Sequence, residues 1–168
     1  ANACRLINIT AKGFFFDFSP YGGCLYHNRK ANKFYFFATS KEGRVEQVEL
    51  IDQGKGLISA KSVRTFEVGS ISEGCVADDD TGALFVGEEN VAIWKYKADP
   101  SGGSAREKVD AVGQYLVADV EGLTLYQGGD GKGYLIASSQ GNSTYVVYQR
   151  QAPHGYVGTF QITPQGSM

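Results

Sequence analysis

The sequence predicts an all-β chain built from repeated four-stranded antiparallel blades, and three observations predict it. Glycine is abundant at 22 residues, with 10 Tyr and 10 Phe, a balance that favours short strands joined by tight turns. Helical periodicity is almost absent; only Ser104–Ala111 hints weakly at a helix. Most telling, three segments can be laid over one another at a period of about fifty residues, the range of propeller blades.

The first segment runs Tyr21-Gly22-Gly23-Cys24-Leu25-Tyr26, turns at His27–Lys33, and returns as Phe34–Ala38. The second runs Glu73–Asp78, turns at Asp79–Gly82, and returns as Ala83–Gly87. The third runs Glu121–Tyr126, turns at Gln127–Lys132, and returns as Gly133–Ala137. Tyr35, Leu84 and Tyr134 are taken as equivalent, with spacings of 49 and 50 residues. A third strand follows in each unit, at Arg44–Leu50, Val91–Tyr96 and Thr144–Arg150. A fourth is expected at Ser62–Val68 and Tyr156–Thr163, while the matching Ser101–Val112 is polar and ambiguous. The chain is thus read as a single domain, residues 1–168, with blades near 21–68, 73–112 and 121–163. Each blade is apolar on both faces and must stack on its neighbours to bury them. A β-sandwich would not place a Tyr-Gly or Glu-Gly pair at the same point of every unit.

At 168 residues the chain can bury a core. A formal net charge of −2 argues against a nucleic-acid partner, and no apolar run approaches the roughly 20 residues of a membrane span. Cys4, Cys24 and Cys75 are odd in number and widely spaced, with no CxxC pair, and are read as buried free thiols. Asp78-Asp79-Asp80 with Glu89 imitates a calcium-binding helix–loop–helix, but Ala83 holds the required glycine position and the flanks are strands. His27 is placed in a solvated turn, and Phe14-Phe15-Phe16 and Trp94 in core or inter-blade packing. Cys4–Thr10 is read as the outer strand of a preceding blade.

The repeat gathers charge. Equivalent positions of successive blades ring one end of a central channel, which brings Tyr21, Glu73 and Glu121 together. The turn after the second strand adds Lys41, Glu89 and Ser139-Gln140, and Asp119 lies on the same side of the chain as Glu121. Carboxylates collected this way repel one another unless cations hold them, and hard oxygen donors at flexible distances suit calcium.

These residues carry a family resemblance. Ser72–Asp79, Glu88-Glu89, Ala92–Lys95, Ala118–Tyr126 and Asp130–Ser143, with Pro20-Tyr21-Gly22 and Lys41-Glu42-Gly43, resemble the β-propeller phytases over about Pro20 to Thr163. The resemblance implies a six-bladed propeller, of which this chain holds about three blades, with calcium at the top of its channel. It implies hydrolysis of phosphomonoesters of inositol hexakisphosphate (phytate) by a calcium-activated water. By the same resemblance Glu73, Glu89, Asp119 and Glu121, with Tyr21, would hold calcium. Lys41 and Tyr21 would hold substrate, and Glu73, Glu121 and Lys41 would act at the reacting phosphate. A secreted, bacterial-type protein is expected. So is the alternative of a non-catalytic, calcium-binding partner domain, which would complete its ring by self-association or with a second phytase domain.

Overall fold

A computed structural model describes residues 8–163. Twelve strands form three four-stranded antiparallel sheets, each a simple meander. Blade one is β1 (Pro20–Asn28), β2 (Lys33–Ser40), β3 (Arg44–Asp52) and β4 (Ile58–Glu67). Blade two is β5 (Cys75–Asp78), β6 (Ala83–Glu88), β7 (Ala92–Lys97) and β8 (Arg106–Ala111). Blade three is β9 (Val120–Gln127), β10 (Gly133–Ser139), β11 (Thr144–Gln149) and β12 (Tyr156–Phe160). The described residues contain no α-helix. Arg106–Ala111, where the sequence hinted at one, pairs as an edge strand with β7, because the empty fourth place in its blade outweighs a weak local propensity.

Two apolar clusters lie between the sheets. The first packs Tyr26, Tyr35, Phe37, Val45 and Phe66 of blade one against Leu84, Val86 and Tyr96 of blade two. The second packs Phe85 and Ile93 of blade two against Leu123, Leu135, Val146 and Tyr148 of blade three. Leu84 and Phe85 point to opposite neighbours, as period-two alternation requires.

That alternation corrects the sequence overlay. Gly23 pairs with Ala38, Cys75 with Val86 and Leu123 with Ala137. Stepping back three residues along each second strand gives Tyr35, Ala83 and Tyr134 as true equivalents, not Leu84. The β5–β6 hairpin is shorter than its counterparts because β5 ends at Asp78, four residues after Gly74, and a one-residue slip exchanges the two faces of a strand.

The repeated glycines are explained by how closely the inner strands approach. A Cβ on Gly22 would lie 2.1 Å from the Glu73 carbonyl oxygen, and one on Gly74 would lie 1.6 Å from that of Glu121. Only glycine lets consecutive inner strands stack this tightly. At Gly122 nothing is nearer than the Ser138 Cβ, at 3.9 Å.

Two further ties join the blades. Cys24 and Cys75 form a disulfide between β1 and β5, with Cα atoms 5.7 Å apart, so these two are not free thiols. The spacing of 51 residues hid the pair, because residues one blade apart in sequence become neighbours only through the fold. Cys4 lies outside the described residues. At the other junction Arg150 is buried and grips the buried Asp78 through Nη2 to Oδ1 at 2.6 Å and Nε to Oδ2 at 2.7 Å. Its Nη2 also reaches Asp80 Oδ2 at 2.6 Å. The acidic triplet that imitated a calcium loop is therefore spent on an arginine and, through Asp79, on the backbone N–H of His27. Burial alone would raise the Asp78 carboxyl, but Arg150 and the backbone N–H groups of Asp80 and Thr81 hold it below the usual range.

Other expectations change in detail. His27 is half-buried at the end of β1 and stacks on Phe34 at 4.2 Å. Trp94 is half-buried and packs against the first cluster, as expected. Phe14 and Phe16 stack edge to face, whereas Phe15 is 89% exposed and belongs to no core. The chain at Ile9–Ala11 pairs with Ile58 of blade one's own outer strand rather than with a preceding blade; Cys4–Ile7 of that expected strand lie outside the described residues.

Two outcomes are expected in denaturation experiments. Gly74→Ala destabilises severely while Gly122→Ala costs no more than about 1 kcal/mol, although the two glycines occupy equivalent positions. Arg150→Ala, which leaves a buried carboxylate unpaired, costs about 3–5 kcal/mol. The Asp78 contribution is present above the unfolded carboxyl pKa of about 3.9 and fades as pH falls through the lower folded value.

Candidate metal and phosphate site

The site forms at the end of the blades where β2, β6 and β10 finish. Backbone hydrogen bonds join the loops of successive blades there. Ser72 N–H donates to the Ser40 carbonyl at 3.1 Å, Glu89 N–H to Ile71 at 3.0 Å, Val120 N–H to Glu89 at 2.9 Å and Gln140 N–H to Asp119 at 2.9 Å. The loops carrying the candidate residues are thereby tied to one another around this end. Thr39 adds a hydroxyl donated to the Glu73 carbonyl at 3.0 Å.

All the sequence candidates come to this end. Lys41 sits with its ammonium 4.6 Å from the centre of the Tyr21 ring, a cation–π contact that fixes both at the rim. The Tyr21 hydroxyl is raised by partial burial and then by the carboxylates of Glu73, Glu89 and Glu121. The Glu89 carboxyl is raised by burial first, then by Asp119, Glu121 and Glu73, with Lys41 opposing. Four carboxylates, one phenol and one ammonium thus share one electrostatic neighbourhood.

Glu88 and Glu89 are adjacent and both 5% exposed, yet they differ in use. Glu88 is saturated: Ser70 Oγ donates to it at 2.7 Å, Trp94 Nε1 at 2.7 Å, and Arg106 lies 3.8 Å away. Glu89 Oε1 is buried with no hydrogen-bond partner. A buried carboxylate oxygen without a donor is costly, and it is the place where a cation would be welcome. The donor set, all oxygen and largely carboxylate, fits a hard divalent ion. Among the described residues no three such side chains already converge as a finished metal cage. The arrangement is an open acidic rim, not a closed site.

Sequence reasoning assigned no role to Gln140, whose Nε2 donates to Glu121 Oε2 at 3.0 Å and holds that carboxylate. Its place in the turn of blade three equivalent to those of Lys41 and Glu89 was the available signal. Gly141 presses close beneath it: a Cβ there would lie 1.9 Å from the Ala118 carbonyl oxygen. Glu73 and Glu121 also border a cavity of about 600 Å³ along the inner strands, lined by Gly22, Gly74 and Gly122.

Together these features define an all-β, propeller-type protein with an acidic rim facing one end of its blades. The chain belongs to the phytase family, whose model it matches over residues 6–167. It is 51% identical over 144 residues to a 3-phytase of Bacillus subtilis (strain 168), an alignment covering 85% of this chain and 38% of that protein. The chain therefore spans less than half of that relative's length. Among solved structures it superposes on an engineered GH43 glycoside hydrolase with endo-xylanase and exo-arabinofuranosidase activity (TM-score 0.60, 19% identity, 89% of this chain and 30% of the other). It also superposes on U3-55K (TM-score 0.56, 14% identity, 88% of this chain and 41% of the other). At those identities the likeness is one of fold.

Glu89→Gln removes a buried, repelled charge and keeps its shape. In the presence of a chelator it is expected to raise stability by about 1 kcal/mol, a rise of roughly 2–4 °C in Tm, measured by differential scanning fluorimetry.

Proposed function

We propose that this chain supplies part of the active rim of a calcium-dependent phytase, which hydrolyses phosphomonoesters of myo-inositol hexakisphosphate. The observation that carries the reading is the orphaned, buried oxygen of Glu89 amid Glu73, Asp119 and Glu121. The family and the 3-phytase relative give the substrate class.

Glu73, Glu89, Asp119 and Glu121, with Tyr21 beside them, would hold the ion. Bound calcium would neutralise carboxylates and substrate together and lower the pKa of a water that attacks phosphorus. In the reaction a P–O bond to water forms, the P–O bond to the inositol carbon's oxygen breaks, and the inositol oxygen leaves with a proton. Lys41, exposed at the rim, would pair with a phosphate oxygen and oppose the acidic field. Its packing on Tyr21 limits the side-chain entropy lost on binding. Gln140 would hold Glu121 in one orientation, and the zippered loops would keep the carboxylates from moving apart under their own repulsion.

The Cys24–Cys75 disulfide supports an oxidising, secreted location. No helix among the described residues is long and apolar enough to cross a membrane.

One observation favours the second reading, a partner domain that completes its ring by association. The cross-strand pair Tyr26–Tyr35 has its rings 5.9 Å apart, and Tyr126–Tyr134, at the equivalent place, has them 6.1 Å apart. The first pair is buried between blades at 5% and 4% exposure; the second faces outward at 60% and 38%. Blade three thus presents a surface of the kind that blade one buries.

Phosphate release from inositol hexakisphosphate is expected to require calcium, to stop with excess chelator, and to fall at least tenfold in Glu73→Gln and Glu121→Gln. Release indifferent to chelator contradicts the catalytic reading. Calcium binding without release, together with a calcium-dependent rise in mass by light scattering, favours the partner domain.

A further inference from the structure

At the opposite end of blades two and three lies a second cavity of about 580 Å³. It opens between the turn that joins β5 to β6, the start of β8 and the turn that joins β11 to β12. Lys95, Lys97, Arg106, Glu107, Arg150 and His154 lie in its wall. The strand β5 runs from the acidic rim toward this cavity, so the two sites face opposite ends of the blades.

The cavity is rigidly built. Arg64 reaches across from blade one and donates to the carbonyls of Lys97 at 2.7 Å, Asp99 at 3.2 Å and Gly103. Ala98 N–H donates to Gly82 at 2.8 Å, which fixes β7 to the turn beneath it. Arg150 is committed to Asp78 and Asp80, and Arg106 stacks on the Trp94 ring at 3.7 Å. The cations left to face a ligand are the lysines. Lys95 shares a 3.2 Å pair with Glu107, whose carboxylate is 75% exposed, so that pair is weak. Lys97 has no ion-pair partner among the described residues.

His154 is the unexplained group. It is 7% exposed. Its Nδ1 lies 3.1 Å from the Gln149 carbonyl oxygen, which requires the proton on Nδ1. Its ring sits edge-on to Phe85 at 5.2 Å. Nε2 is then a bare acceptor, buried and without a partner. Burial, with Lys95 nearby, keeps the imidazole neutral by lowering its pKa. A fixed acceptor in a cavity whose uncommitted charges are positive calls for a ligand that carries both a hydroxyl donor and a negative group.

We propose that this cavity binds a small phosphorylated polyol, with Lys95 and Lys97 holding the phosphate and His154 Nε2 accepting a hydrogen bond from a ring hydroxyl. The site is independent of the metal rim. On the phytase reading it would receive a lower inositol phosphate, a product of the reaction, but its binding does not need that reaction.

The test is a titration of the protein, in excess chelator, with myo-inositol monophosphate, followed by the fluorescence of Trp94, the chain's single tryptophan, and by calorimetry. Inorganic phosphate and myo-inositol are titrated separately. One-to-one binding of the monophosphate is expected, at least tenfold tighter than either fragment. Lys97→Met, an exposed change, weakens it at least fivefold, and His154→Leu, where folded, removes the advantage over inorganic phosphate. No saturable binding in chelator overturns the proposal. So does binding unchanged by Lys97→Met, or inorganic phosphate binding as tightly as the monophosphate. Because chelator silences the rim, failure here leaves the calcium reading standing, and failure of calcium-dependent release leaves this one standing.

Discussion

The contact of a glycine with the carbonyl of the next blade's glutamate sets the rest of the molecule. Gly22 lies under Glu73 and Gly74 under Glu121, at distances no side chain permits. That approach brings the inner strands together, and the residue before each glycine is then carried to the same rim. Tyr21, Glu73 and Glu121 are neighbours because Gly22 and Gly74 let their strands close up. The acidic rim is thus a by-product of backbone packing, and its repulsion is resisted by the apolar clusters below it and the loop-to-loop hydrogen bonds around it.

The two blade junctions are reinforced differently. Blades one and two carry the Cys24–Cys75 link beside the rim. In the chain-entropy account a link over such a loop stabilises by about 4 kcal/mol. Blades two and three carry the buried Arg150–Asp78 pair at the far end. A covalent tie does not depend on charge and suits a place next to carboxylates. An ion pair suits the far end, away from the acidic rim, where Asp78 and Asp80 are consumed by arginine.

Much of this was legible in the sequence because it is local. The strands, the meander and the recurring X-Gly pair follow from alternation and from glycine placement, and the candidate rim residues follow from the repeat. What the sequence hid depends on pairing across blades. The slip at Leu84 came from unequal hairpin lengths, which an overlay by similarity cannot detect. The disulfide, the Asp78–Arg150 pair and the orphan nitrogen of His154 join residues that no local pattern relates. The contrast between Glu88 and Glu89 is of the same kind: identical neighbours in sequence, one saturated by Ser70 and Trp94 and the other left without a donor.

The central claim is that the rim is an oxygen site awaiting a hard cation. Calorimetric titration of the metal-free protein with calcium, beside the Glu89→Gln variant, tests it most directly. The account predicts saturable binding by the unmodified chain, weakened at least tenfold in the variant. Absence of binding at millimolar calcium, or equal binding by the two proteins, would contradict it.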